Sequence, residues 1–167
     1  MSEVVMLRYN SGKPPLSLIP TAWLTAVNGG DYFSYPSRLT VAVARVLDFG
    51  AKKYSANNWR KGGSWLSVLD CAFRHITWYQ SGEENDKESG LSHLAHAACN
   101  IAFLLEFVDQ ESGQDDRFTL TKQWECEQDS SLSSAIESLL KWKDGGDHHN
   151  LEAAAYELAM IYEELAA

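Results

Sequence analysis

The chain has 167 residues, 45% of them hydrophobic, and a formal charge of −9. This composition suits one folded domain with a sizeable core, or one domain with an appendage, and excludes a disordered chain. The acidic balance argues against a general binder of nucleic acid or of an anionic membrane, because a polyanion would be repelled everywhere except at a local patch.

The segment up to Pro36 is rich in turn formers ("NSGKPPLSLIP", then "NGGDYFSYP") and holds every proline: Pro14, Pro15, Pro20 and Pro36. It is predicted to be irregular, with one short helix near 21–28 and a turn at Asn28-Gly29-Gly30. Ser37 then caps a helix over about 37–53, in which Leu39, Val43, Val46 and Leu47 recur at helical spacing. A cationic loop follows. Ser64 caps a second helix over about 65–80, with Leu66, Leu69, Phe73 and Ile76 in phase. The acidic turn "EENDKESG" leads into a third helix over about 89–109, striped by Leu91, Leu94, Ala98, Ile101, Leu105 and Val108.

Two more helical pieces, about 131–142 and 149–165, are joined by "KDGGDHHN" into an antiparallel hairpin. No strand pattern competes. The expected fold class is all-α: an antiparallel helical bundle with an irregular N-terminal segment and a C-terminal helical hairpin. The expected division is a domain over 1–113 and an extension over 114–167 that packs on the bundle or on a neighbouring subunit. Cys71, Cys99 and Cys126 lack CxxC spacing and read as reduced thiols rather than a disulfide framework or a zinc knuckle. With neither a signal-peptide pattern nor an apolar span of about 18 residues, the expected location is cytoplasmic, away from the membrane.

The short connection between the second and third helices predicts an antiparallel pair. At about 1.5 Å per residue, His75 then stands level with His93 and His96, roughly 8–12 Å from the turn. His93, His96 and Asn100 follow i, i+3, i+7 and share a face. Arg74 falls at the same level, and Asp70 one level deeper, near Asn100. Such a constellation is either a polar cluster satisfied within the core or a site. His75, His96 and Asp70 are taken as catalytic, since histidine titrates near neutral pH. The turn offers Glu83-x-x-Asp86 with Glu88 as oxygen ligands for a hard divalent cation, and His93 is placed with them. The plainer reading is a solvated acidic turn before a helix N-terminus.

The stretch "FGAKKYSANNWRKGGSW" gathers four of the chain's fourteen Lys and Arg: Lys52, Lys53, Arg60 and Lys61. Cations suit phosphates. Tyr54 and Trp59 offer flat faces to a base, and Asn57 and Asn58 can hydrogen-bond a base edge or ribose. A solvated charged loop is the bland alternative. Arg74 and Asn100 complete the substrate-binding set. Gly62-Gly63 suits a tight turn. His148 and His149 flank the tail turn and read as solvated.

Taken in order, "YNSGKPPLSLIP", "ARVLDFGAKKY", "NWRKGGSW" and "RHITWYQSGEENDKESGLSHLAHAACNIAFLL" resemble the phage dATP/dGTP diphosphohydrolase family, often called MazZ and grouped with MazG-like all-α nucleotide pyrophosphatases. The resemblance runs from about Tyr9 to Leu105. It implies metal-dependent cleavage of purine deoxynucleoside triphosphates to monophosphate and pyrophosphate with Mg2+ or Mn2+. It also implies a role in clearing dATP and supplying dGMP for 2-aminoadenine DNA. Carried over by motif, the residues are Lys13, Lys52, Lys53, Tyr54, Asn58, Trp59, Arg60, Lys61, Arg74, His75, Glu83, Asp86, Glu88, His93, His96 and Asn100. One departure stands out: the helix over 37–53 lacks the ExxE of MazG-like enzymes, and the ExxD read as a ligand pair, Glu83-x-x-Asp86, lies in the turn. Asp48, Asp70 or the histidines are therefore alternative ligands.

The expected mechanism is in-line attack of water on phosphorus, with metal and cations neutralising charge. Two rivals remain: a His/Asp metal phosphohydrolase releasing triphosphate, and a non-enzymatic module that binds nucleotide, nucleic acid or a partner. The expected partners are purine deoxynucleoside triphosphates and further copies of the chain, since MazG-like enzymes assemble as oligomers. No stable nucleic-acid binding is expected.

Overall fold

Three serines set the starts of the long helices. The Ser37 hydroxyl accepts from the Thr40 N–H at 3.1 Å, Ser64 from Ser67 at 2.9 Å and Ser92 from Leu94 at 3.2 Å. Each satisfies a first-turn N–H that has no partner within the helix.

The computed structural model describes residues 11–28, 37–118 and 132–165. They form α1 (Thr21–Val27), α2 (Arg38–Lys53), α3 (Trp65–Gln80), α4 (His93–Asp109), α5 (Leu132–Lys143) and α6 (His148–Leu165), with 3-10 turns at Leu16–Leu18 and Asn58–Lys61. The described residues hold two isolated bridges and no sheet, so the fold is an all-α bundle with a C-terminal helical pair. No described helix is long and apolar enough to cross a membrane. Gly29, Gly30 and Cys126 lie outside the described residues.

The third long helix begins at His93, four residues later than its apolar stripe predicts. A closed turn competes for those residues. The Asp86 N–H donates to the Leu91 carbonyl and the Gly90 N–H to the Asp86 carbonyl, both at 2.8 Å. Gly90 sits at φ +70°, which only a residue without Cβ adopts at no cost.

α3 and α4 pair antiparallel through this turn, and α4 also packs on α1, α2 and α6. Ala95, Ala97, Ala98 and Ala102 are buried on α4, and their small side chains let the neighbours approach from several sides. α5 and α6 form a hairpin whose second helix covers α1, α2 and α4, so Leu139, Trp142, Leu151 and Leu158 join the same core. Arg117 ties the hairpin to the start of α3. Its guanidinium lies 4.4 Å from the Trp142 ring and 5.1 Å from Trp65, and it donates to the carbonyls of Trp142 and Gly146 at 3.0 and 2.9 Å. Where the chain passes the start of α3 a second time, Gly62 and Gly113 meet, and a Cβ on Gly62 would fall 2.9 Å from Gly113.

Candidate active site

The end of α2, the loop after it and one side of α4 enclose a cavity of about 290 Å3. Val46, Leu47 and Phe103 make it apolar on one side; Asn57, Asn58 and Asn100 bring amides, and His96 forms part of the wall. Tyr54 stands at its edge, 69% exposed. Trp59 also lines the cavity, but its ring is stacked on Phe103 at 4.5 Å and covered by the Arg60 guanidinium at 4.5 Å. Of Tyr54 and Trp59, Tyr54 is thus the ring left open to a base.

Behind His96 the three imidazoles meet. The rings of His75 and His96 are stacked at 4.6 Å, and His75 Nδ1 lies 2.8 Å from His93 Nδ1, so one of the two carries the shared proton. Burial, followed by repulsion from His96 and His93, lowers the His75 pKa to about 4. Burial likewise lowers His96. The Ser89 hydroxyl donates to Asp86 Oδ2 at 2.8 Å and lies 2.7 Å from His96 Nε2. With the serine proton committed to Asp86, His96 Nε2–H points at the serine oxygen and its Nδ1 keeps a lone pair. Burial raises the Asp86 pKa, yet the Ser89 N–H and hydroxyl overcome this and hold the carboxyl below its usual range.

The three carboxylates of the turn taken as metal candidates go to different partners, and the fourth candidate, His93, is a partner of Glu83. Glu83 receives Lys87 at 2.7 Å and lies 3.3 Å from His93 Nε2; hydrogen bonds from Lys87 and then His93 lower its pKa. Asp86 lies 3.9 Å from His96 Nε2. Glu88 pairs with Lys53, which raises the lysine pKa. The cations of the loop are paired as well. Lys52 meets Asp48 at 2.6 Å, Lys61 donates to Asn58 at 3.0 Å, and Arg60 binds Glu106 of α4, which is only 8% exposed.

Two expected members lie apart from the cluster. Asp70 and Arg74 are exposed, and Arg74 donates to Cys71 Sγ at 2.8 Å. Each sits about 160° round α3 from buried Ala72, so a matching level did not bring Asp70 to Asn100. The Asn100 amide instead donates to the His96 carbonyl at 2.8 Å. Two residues were missed. Ser89 was signalled only by its i+3 spacing from Asp86, the spacing at which an Asp side chain accepts a backbone N–H as in an N-cap. Arg45 lines, with Lys13 and Lys52, a smaller hollow of about 260 Å3 that shares Phe49 with the main cavity. Its signal was the i, i+7 spacing to Lys52 on α2.

Elsewhere, one ligand atom each from His148, His149 and Glu152 lies within 4.8 Å of the others, a group able to coordinate a metal ion. The histidines predicted to be solvated are indeed exposed.

No solved structure matches the chain. The dATP/dGTP diphosphohydrolase of Salmonella phage PMBT28 is 33% identical over 111 residues, which are 66% of this chain and 32% of the relative. The chain thus spans about a third of that relative's length. Residues 6–117 match the family described as dATP/dGTP diphosphohydrolase, N-terminal, and this stretch contains the cavity and the histidine cluster. On that match, the chain belongs to the dATP/dGTP diphosphohydrolase family.

Proposed function

We propose that this chain hydrolyses purine deoxynucleoside triphosphates, dGTP and dATP, to the monophosphate and pyrophosphate with Mg2+ or Mn2+. The observation that carries this reading is a cavity of about 290 Å3 with a buried imidazole in its wall and Lys53 at its edge, next to a hollow lined by Lys13, Arg45 and Lys52. The base enters the cavity against Tyr54, within reach of the amides of Asn57, Asn58 and Asn100. The triphosphate runs past Phe49 toward Lys13, Arg45, Lys52 and Lys53. Ion pairs at exposed lysines contribute little to stability, so phosphate oxygens can replace Asp48 and Glu88 as their partners.

The carboxylates of Glu83 and Asp86 would hold the ion, since oxygen ligands suit Mg2+ and Mn2+, with His93 3.3 Å from Glu83; these groups stand with separate partners, so a bound ion would have to draw them together. The ion, when bound, would neutralise phosphate charge and acidify the attacking water. His96 stays neutral at pH 7 and is fixed by Ser89 as the tautomer with a free Nδ1, so it can take the proton of that water. His75, with its pKa near 4, is neutral too and holds the ring of His96 in place.

Family membership supports a place in phage nucleotide-pool remodelling for 2-aminoadenine DNA. The same proposal treats 114–167 as an extension and the working form as a homo-oligomer. Leu140, Tyr156, Met160 and Leu165, 41–62% exposed, offer apolar surface to a second copy. The test is chromatography of the products from dGTP and dATP with either metal. Equal monophosphate and pyrophosphate are expected. Deoxynucleoside with tripolyphosphate would mean a His/Asp type phosphohydrolase, which the converging imidazoles also suit. Absence of turnover would leave a binding module.

A further inference from the structure

The tail carries a second set of ligating side chains, and its chemistry differs from that of the acidic turn. α6 opens on His148-His149, and Glu152 follows one turn later. His148 and Glu152 stand at i and i+4 on one face, with His149 beside them. The two rings lie 4.1 Å apart, and His149 Nδ1 is 2.9 Å from Glu152 Oε2. One ligand atom from each of the three is within 4.8 Å of the others. A common ion would require these side chains to rotate until each ligand atom is about 2.0–2.2 Å from it. The Asp147 carboxylate accepts from the His149 N–H at 3.0 Å, so the ligands project from an anchored helix start. The positive end of the α6 dipole opposes a cation there, and the charges of Asp147 and Glu152 offset it.

His148 and Glu152 also line a cavity of about 520 Å3 between α6, α1 and α4, with Thr21, Thr25 and Asp109 across from them. An ion held by three side chains would keep coordination positions free, and the cavity lined by His148 and Glu152 would give a ligand access to them.

We propose that His148, His149 and Glu152 form a site for a transition-metal ion of the zinc, cobalt and nickel class, open to this cavity and separate from the nucleotide site. Two imidazoles and one carboxylate select such ions, whereas Mg2+ asks for a near-octahedral shell of oxygen atoms. The separation is structural. The main cavity and histidine cluster use the first part of α4, from His93 to Phe103, and this cavity uses its end, from Leu105 to Asp109. His96 and Asp109 are roughly 20 Å apart along the helix. The three ligands also lie beyond the family-matched residues 6–117, so the site belongs to the extension rather than to the shared part of the family.

The test uses the full chain, stripped of metal and titrated with Co2+ alone while visible absorption is recorded. One equivalent should produce a d–d band that Zn2+ displaces. The His148→Ala/His149→Ala double variant should lose this equivalent, Glu152→Gln should bind at least tenfold more weakly, and His96→Ala should retain it. Zn2+ should raise the Tm of the wild type and leave that of the double variant unchanged, because only a native state that binds the ion is stabilised. Both histidines are exposed, so the double variant should fold, and circular dichroism is the check. Uptake that persists undiminished in the double variant, or that vanishes in His96→Ala, would put the ion in the other histidine cluster and overturn the proposal. Absence of Co2+ uptake by the wild type would overturn it equally.

Discussion

The stretch from Lys52 to Lys61, whose middle lines the cavity, and the part of α4 that carries His96 meet at one opening, yet they hold their polar groups in opposite ways. In the loop, charges sit in solvent, and each cation described above has found a local acceptor: Lys52 with Asp48, Lys53 with Glu88, Lys61 with Asn58. Such pairs form and exchange cheaply. On α4 and the facing side of α3 the groups are imidazoles drawn out of solvent: desolvation lowers the pKa of His75 and of His96, and the rings are fixed by one another and by Ser89. The loop is thus suited to ionic contacts that change when a ligand arrives. The cluster is suited to a fixed geometry and a fixed protonation state. Arg60 breaks the pattern. It belongs to the loop by sequence, but its partner Glu106 is buried, so it behaves as part of the core.

Removing a fixed group should have the largest effect. His96→Ala should lower kcat by about 10²–10⁴, the usual contribution of a positioned general base, while helix content by circular dichroism stays intact. Wild-type turnover in the purified variant would make His96 a packing residue only. Ser89→Ala should cost roughly tenfold in kcat with little change in KM, because the carboxylate–hydroxyl–imidazole chain that sets the tautomer is cut. If KM rises and kcat stays, Ser89 belongs to substrate binding instead.

The protonation state can be read from stability. His75 is lowered from its ordinary 6.5 to about 4, so between these values the unfolded chain binds the extra proton. Its contribution is fully present above pH 6.5 and is lost as pH falls toward 4. About 2 kcal/mol is expected, less than full linkage because the ring is partly open to solvent. Thermal melts across this window should show a shallower slope for His75→Gln. Identical slopes would mean that His75 titrates as in the unfolded chain.

Arg60→Ala and Lys53→Ala sharpen the contrast within the loop. Arg60→Ala should destabilise by about 1–2 kcal/mol in urea unfolding, since Glu106 loses its partner and Trp59 its cover. Lys53→Ala should raise KM for the triphosphate severalfold and leave Tm within about a degree. If instead Arg60→Ala changes KM alone, the arginine is a phosphate ligand and the division drawn above fails.

Much of this architecture was legible in advance. The second long helix was expected over about 65–80 and runs Trp65–Gln80, because a serine cap, an apolar stripe and a glycine just beyond the end are all local signals. The meeting of His75, His93 and His96 followed from arithmetic, since two helices joined by a short turn must set equal rises side by side. The same arithmetic failed for Asp70. Level along a helix does not give the direction round it, and the buried stripe of Leu69, Ala72 and Ile76 turns Asp70 outward.

The sequence by itself determined the helices, their antiparallel order and the height of each histidine, because these depend on spacing within short windows and on chain connectivity. Only the tertiary structure decided which groups became partners. Glu106 lies 46 residues from Arg60, and Arg117 lies 25 from the Trp142 carbonyl it binds. Ser89 came under His96 because the turn closed and delayed the start of α4. Pairings of this kind arise when packing fixes the orientation of whole helices, and no local pattern in the chain records that orientation.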